Sequence, residues 1–437
     1  AFQDLGQQRV KNISEPVHVW RVEGNGGARP APAPTPESEA ARSAIAVMPF
    51  ENMSDDSEQE YFADGLTEDI ITALSSQVGL RLIARHSTFA YKNEPVDLKQ
   101  VARELDARYV LEGSVRKAGD RVRVTAQLVD ATTGQHVWAE RYDRDLADIF
   151  EVQDEITANI AGRVAPEVWK MEGARTRARA PESLDAWDLH LRALSHYYQT
   201  TRSDFAEAER LLRRAIELDP GYEPAHNLLA GVLTSAILRR WEAPEPRLVE
   251  EVVREVETAV RLDDNSGTAH AGLALAYGLT GRHAEAVAEG RKSVERNPYA
   301  GLCRSSLGYA LWLAGDHEEA ADHLLRAFQL SPNEPDRYHW STQLTYVFYL
   351  MGRYEAALAW VERSEALTQD YVQLHGIKAA TLAQLGRVDE ARAALADFLR
   401  HLPGMTDAAY RRRLRWKHAA DVDHYMEGLS KAGLPAG

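Results

Sequence analysis

Four glycines set the phase of the second half of the chain: Gly281, Gly315, Gly352 and Gly386, separated by 34, 37 and 34 residues. Five residues after each stands an alanine (Ala286, Ala320, Ala357, Ala391), and twelve beyond three of these stands a proline (Pro298, Pro332, Pro403). Such a period constrains the fold strongly, because each unit can bury its apolar face only against its neighbours. In Gly315-Asp316-His317-Glu318-Glu319-Ala320 the glycine ends one helix in the left-handed region. The acidic residues open the next helix, where its dipole favours negative charge. Gly308, Ala320 and Ala327 let the two helices approach, Leu307, Leu311 and Leu324 fill the space between them, and Pro332 stops the second helix.

The unit resembles the tetratricopeptide repeat, with Leu307-Gly308 in its first helix (A), alanine in its second (B) and a closing proline. Gly352, followed by Tyr354 and preceded by three extra residues, departs from that pattern. The register extends backwards: Ala208, Leu212, Ala215 and Pro220 mark one earlier B helix. Ala259 with Asp264 marks another, after a ten-residue insertion around Trp241-Glu242-Ala243-Pro244. Six units are expected over residues 185–403, presenting a concave surface made by the A helices. Positions 5, 9 and 12 of A helices project inward in this family. They select Asn227 in one unit, Ser305, Tyr309 and Trp312 in another, and Thr342, Tyr346 and Tyr349 in a third. These aromatics suit a protein or peptide ligand with apolar or aromatic side chains; equally, they suit closure of the core against a neighbouring helix. The Lys/Asn clamp that grips a terminal carboxylate in some repeat proteins is absent at these positions.

With 437 residues, 44% hydrophobic and 27% charged, the chain has room for about three domains. No apolar run approaches the ~20 residues of a membrane span, and no basic-then-apolar leader opens the chain, so a cytoplasmic protein without a membrane span is expected. The chain starts Ala1-Phe2-Gln3-Asp4, without methionine, and is read as the carboxy-terminal portion of something longer. Cys303, the only cysteine, excludes an internal disulfide and is expected to pack as a small apolar group. A formal charge of −15 opposes binding to phosphate backbones, so no nucleic-acid partner is expected. Arg411-Arg412-Arg413-Leu414-Arg415-Trp416-Lys417 is a local exception, read as a solvated helix face or as a docking surface for an acidic partner.

Residues 1–22 hold Asp4-Leu5-Gly6, Lys11-Asn12-Ile13 and Pro16-Val17-His18-Val19-Trp20, with apolar alternation that suits a strand. They resemble the closing strands of a class III adenylate/guanylate cyclase catalytic domain. The resemblance implies a parent that makes cyclic AMP from ATP with Mg²⁺, working as a homodimer through the cyclase domain. Its catalytic and metal-binding residues would lie upstream of Ala1, leaving no catalytic, cofactor or metal residue in this chain. Residues 23–42, rich in Gly, Pro and Ala, form a linker.

Residues 43–170 read as a mixed α/β domain: strands at 44–50, 80–84, 109–116, 121–129 and 136–142, and helices at 61–77, 97–105 and 149–164. Ala46-Val47-Met48-Pro49-Phe50-Glu51-Asn52, Tyr61-Phe62-Ala63-Asp64-Gly65-Leu66, Tyr109-Val110-Leu111-Glu112-Gly113-Ser114-Val115-Arg116 and Trp138-Ala139-Glu140-Arg141-Tyr142-Asp143 are similar to a bacterial module like the TolB amino-terminal domain. That module implies a binding or relay domain between a signalling output domain and tetratricopeptide repeats, and names no reaction. A second linker is expected at 171–184, and capping helices at 404–437 to close the open end of the array.

The fold class is therefore a mixed α/β domain followed by an all-α tetratricopeptide-repeat solenoid. Asp64 and Glu68 share a helix face, and the acid–base reading of the pair is weighed against surface or capping roles. The acidic run Asp55–Glu60 lacks the alternating ligands and glycine of a calcium loop. His317 and His323 lie six apart, on different faces of one helix, and do not make a zinc pair. The composite reading is the regulatory and protein-interaction portion of a class III adenylate cyclase-like protein; the alternative is a non-enzymatic scaffold or transcriptional regulator with an upstream winged helix.

Overall fold

The structure, a computed structural model, describes residues 2–8, 17–22 and 44–436, except 55–59, 76, 78–79, 93–96, 120, 146–148, 177–184, 200, 239–245, 332–333, 335–336 and 368–370. The Gly/Pro/Ala linker, Lys11-Asn12-Ile13, the Trp241–Pro244 insertion, Pro332 and most of the acidic run lie outside the described residues. Residues 1–41 and 42–437 form two compact parts. In the first, β1 (Phe2–Gln8) pairs antiparallel with β2 (Val17–Val22), which gives the expected strand its partner.

The second part begins with a mixed sheet. Its strands are β3 (Ala44–Val47), β4 (Glu51–Asn52), β5 (Arg81–Leu82), β6 (Tyr109–Ala118), β7 (Arg121–Asp130) and β8 (Gln135–Asp145), in the order β5-β3-β6-β7-β8 with β4 also on β6. β3 is parallel to β5 and β6, and β6-β7-β8 form an antiparallel meander. The unbroken apolar run of β3 follows from burial on both faces. Ile45 and Val47 pack toward Phe62, Leu66 and Ile70 of α1 (Glu60–Ser75); Ala44, Ala46 and Met48 pack toward Val101 and Ala102 of α3 (Leu98–Glu104). A short helix, α2 (Arg85–Phe89), occupies a stretch that the sequence did not mark as helical.

The helix expected at 149–164 runs much further, as α4 (Ile149–Thr176), through Pro166. The proline forgoes one backbone hydrogen bond, yet Val168 continues the apolar face, and Glu172 accepts from the Tyr109 hydroxyl at 2.8 Å. Residues 171–176 are therefore helix rather than linker, and tertiary packing has overridden the local rule.

Six helical hairpins follow among the described residues. They are α5 (Ala186–Tyr197) with α6 (Arg202–Leu218), α7 (Glu223–Leu238) with α8 (Pro246–Leu262), α9 (Gly267–Leu279) with α10 (His283–Arg296), α11 (Gly301–Ala314) with α12 (His317–Leu330), α13 (Arg337–Leu350) with α14 (Tyr354–Leu367), and α15 (Val372–Gln384) with α16 (Val388–His401). Gly281, Gly315, Gly352 and Gly386 have φ of 75°, 94°, 72° and 76°, and each turns an A helix into its B helix. Ala286, Ala320, Ala357 and Ala391 have no exposed surface. The array winds far enough for Gln373 Nε2 on α15 to donate to Leu238 O at the end of α7, at 2.7 Å.

α17 (Asp407–Arg411) and α18 (Ala419–Ala432) end the chain. α18 does more than cap the last hairpin: Tyr425 lies against Gly376 of α15, and Gly428 lies between Ala380 of α15 and Tyr349 of α13. No helix among the described residues is long and apolar enough to cross a membrane.

Candidate binding surfaces on the A helices

Trp312 stacks on Tyr346 with ring centres 5.0 Å apart, and Trp416 stands edge-on to both at 5.7 Å. Tyr425 approaches Tyr346 at 5.4 Å. The Tyr349 hydroxyl donates to His424 O at 2.9 Å, and its ring stacks on the His424 imidazole at 4.7 Å. Tyr309 meets Trp312 edge-on and lies against Gly278, while Thr342 turns its hydroxyl to Tyr338 O at 2.8 Å. These five residues are only 0–8% exposed. Their reading as an open peptide surface therefore gives way to the core reading, and the neighbour that buries the aromatic stretch at Trp312, Tyr346 and Tyr349 is the chain's own segment from Trp416 to Tyr425. Uncovered, these rings would expose a large apolar patch.

That segment follows the A-to-B turns in order. His283 Nε2 donates to Arg415 O at 2.8 Å in the third hairpin. Lys417 N donates to Leu313 O at 3.0 Å, and His317 reaches Asp421 at 3.2 Å, in the fourth. Tyr354 bonds His424 at 2.8 Å in the fifth, and Gln384 accepts from Lys431 at 2.7 Å in the sixth. The sequence carried a signal for this: His283, His317 and Tyr354 each stand two residues after a turn glycine. The basic stretch is split by the same packing. Arg411 pairs with Asp407 and Asp423, whereas Arg412, Arg413, Arg415 and Lys417 are exposed.

Asn227 and Ser305 are not with the aromatics. They line a partly open cavity of about 260 Å³ between α4 and the A helices α5, α7, α9, α11 and α13. The Ser305 hydroxyl donates to Leu302 O at 2.9 Å. Two polar atoms turned away from solvent, His190 Nδ1 and Gln343 Oε1, have no hydrogen-bond partner, and both residues line the cavity. Burial pushes the His190 imidazole down to about 4, so it is uncharged at neutral pH.

Elsewhere the candidates resolve into structural pairs. Asp64 binds Lys92 Nζ at 2.6 Å and Lys92 also reaches Glu60, while Glu68 faces Arg85 at 3.7 Å. His323 lies near Glu319, apart from the His317–Asp421 pair. Cys303 is buried, which pushes its thiol up to about 12. Among the described residues no three His, Cys, Asp or Glu side chains are placed to share a metal ion. A recurring pair went unread in the sequence: His226 with Glu255 at 2.7 Å and His270 with Glu289 at 2.5 Å each tie an A helix to a B helix.

Comparison with known proteins fits this architecture. Tetratricopeptide-repeat family models match residues 253–301 and 301–326, and a model described as anaphase-promoting complex, cyclosome, subunit 3 matches 316–398. Over residues 41–159 the match is to the second domain of a HilA/YgeH-like transcriptional regulator. A Rhizobium meliloti protein named "Putative adenylate cyclase 3" is 42% identical over 288 residues, which is 65% of this chain and 49% of that protein. Mouse Superkiller complex protein 3 is 28% identical over 211 residues, 47% of this chain and 12% of that one. The chain thus spans about half the length of the first relative and far less of the second. Among solved structures, the Cut9–Hcn1 hetero-tetramer of APC/C has a TM-score of 0.44 at 16% identity, covering 65% of this chain and 49% of that one. A thermophilic repeat protein of Thermus thermophilus has a TM-score of 0.36 at 18% identity, covering 45% and 98%. The chain is a small mixed-sheet domain followed by a tetratricopeptide-repeat solenoid.

Proposed function

We propose that this chain is the regulatory and protein-interaction portion of a class III adenylate cyclase-like signalling protein. The observation that carries the reading is the 42% identity to the Rhizobium protein, sustained over 288 residues. The β1–β2 ribbon, with its cyclase-like Asp4-Leu5-Gly6 and Pro16-Val17 motifs, also supports it. In this reading the sheet domain acts as a TolB-like relay module, the array receives a protein partner or other effector, and an upstream catalytic domain makes cyclic AMP from ATP with Mg²⁺, as a dimer. The protein would work in the cytoplasm.

The HilA/YgeH-like match over residues 41–159 favours one second reading, a transcriptional regulator with a DNA-binding domain upstream. Sequencing the gene 5′ of the Ala1 codon and assaying the longer product with Mg-ATP separates the two. A domain with paired metal-binding aspartates and formation of cyclic AMP is the expected result. A winged helix upstream and no cyclic nucleotide would sink the cyclase reading in favour of the regulator.

A further inference from the structure

The mixed sheet ends differently at its two edges. At one edge β5 is only Arg81–Leu82, too short a strand to offer much to a partner. At the other, β8 runs 11 residues from Gln135 to Asp145. β7 satisfies one side of β8, and α4 lies over one of its faces. Among the described residues no strand pairs with its outer side. A long open row of N–H and C=O groups is a template for a further strand.

Charged side chains ordinarily guard such an edge. On β8 their order has the opposite effect. Glu140-Arg141-Tyr142-Asp143-Arg144 reads minus, plus, neutral, minus, plus, so each charge has its opposite at the same distance beyond Tyr142. In an antiparallel pair made by a two-fold axis, the residue at the axis meets its own copy. Residues equally far on either side then meet each other across the strands, on the same face of the sheet. With the axis at Tyr142, Arg141 stands opposite Asp143 and Glu140 opposite Arg144, each pair occurring twice. Moving the axis one residue either way sets Arg141 against Arg141 or Asp143 against Asp143, which is unfavourable.

The side chains are already placed for this register. Tyr142 is buried in the sheet core, and on its face Arg144 meets Glu155 of α4 at 2.7 Å and Glu140 meets Arg163 at 3.6 Å. On the opposite face the Arg141 side chain is 62% exposed, and Asp143 binds Arg123 of β7 at 2.6 Å. A second β8 would extend both rows with alternating sign: Arg163, Glu140, Arg144 and Glu155 on the α4 face, and Arg123, Asp143 and Arg141 on the other.

We propose that β8 pairs antiparallel with β8 of a second copy of this chain, about a two-fold axis at Tyr142, so that two sheets become one and the chain is a dimer. The contact lies in the sheet domain, needs no catalytic domain and does not rest on the signalling reading above.

Sedimentation of the purified 437-residue chain over a concentration series should show a monomer–dimer equilibrium that weakens as salt is raised. Arg141→Glu and Asp143→Lys each set like charges across the axis, and each should raise the dissociation constant at least about tenfold. Mixed in equal amounts, the two variants should regain a dimer close to that of the unaltered chain, because their changed positions then face each other with opposite charge. A loss caused by misfolding would not be rescued in this way. The register is read by cysteines at Ala139 and Asp145, two exposed positions that it sets opposite each other. Ala139→Cys and Asp145→Cys chains should form a disulfide when mixed and none when oxidised separately, and Cys303 is buried and does not compete. A chain that stays monomeric, a dimer indifferent to both charge variants, a mixture that is not rescued, or cross-linking by Ala139→Cys alone overturns the proposal.

Discussion

Glu223 opens α7 with its carboxyl inside the protein, 7% exposed, where Ser266 Oγ donates to it at 3.0 Å. Burial raises its pKa to about 7; the Ser266 bond and nearby His226 oppose the rise, and Asp263 adds to it. The folded protein therefore holds this proton through a range where the unfolded chain, near the ordinary 4.5, has released it. Stability from this group is complete below about 4.5 and is lost as the pH rises toward 7. Glu223→Gln keeps an acceptor for Ser266 and carries no charge. It should be close to neutral at pH 4.5 and stabilising by roughly 1–3 kcal/mol at pH 8, read by urea denaturation at both pH values. A stabilisation that does not change with pH would mean that the carboxyl is not held protonated. Neighbouring His226 is shifted in the same direction by a different cause. Burial alone would lower its pKa, but the Glu255 carboxylate and Pro220 O more than offset that and raise it. Neither pairing was legible locally, since Glu223 and Ser266 are 43 residues apart and His226 and Glu255 are 29 apart.

Between elements, the turn glycines were legible because only glycine enters the positive-φ region freely, so their spacing marks the turns whatever residues fill the helices around them. Their surroundings were not legible. A Cβ on Gly352 or Gly386 would meet nothing within 4 Å, whereas one on Gly315 would sit 2.2 Å from His418 Cδ2. Gly352→Ala should therefore cost about 1–2 kcal/mol, from backbone conformation alone. Gly315→Ala should cost more, and it alone should raise amide exchange across residues 412–431 as the C-terminal segment is pushed off. Equal costs, with exchange in that segment unchanged, would contradict the packing of His418 on the fourth turn. Within the same hairpin, Ala320 has no exposed surface, and Gly308 faces Leu324 and Ala320 O. Ala320→Leu should overpack this contact by roughly 1–3 kcal/mol, visible as a lower melting midpoint. The C-terminal segment itself escaped the sequence because its partners are distant: His317 and Asp421 are 104 residues apart. Capping was the natural expectation for an amphipathic helix after the last hairpin, and nothing within the segment's own residues says that it will lie along the A helices instead; the signal stands in its partners, at His283, His317 and Tyr354.

For residues 42–437 as a whole, α4 is the element that makes one body of two architectures. One side carries Val152, Ile156, Ile160 and Val164 into the sheet core. The other side passes so close to the array that a Cβ on Gly162 would lie 2.4 Å from Leu330 O, and one on Gly173 would lie 3.0 Å from Leu191 O. Tyr299, just ahead of α11, returns the contact by packing against the sheet core. None of this was visible along the sequence, which points to a helix over 149–164 and a linker at 171–184. The cost of Pro166 is local, whereas the apolar and polar contacts that hold α4 straight are spread over both architectures. Gly162→Leu tests the arrangement. The clash is with backbone, which cannot rotate away, so relief requires α4 to separate from the end of α12. The variant should lose roughly 1–3 kcal/mol, and calorimetry should resolve two melting steps, one for the sheet domain and one for the array, in place of a single step. The helical signal of the hairpins should stay intact. A single unshifted transition would show that α4 does not join the two halves as described, and that whatever passes between sheet and array takes another route.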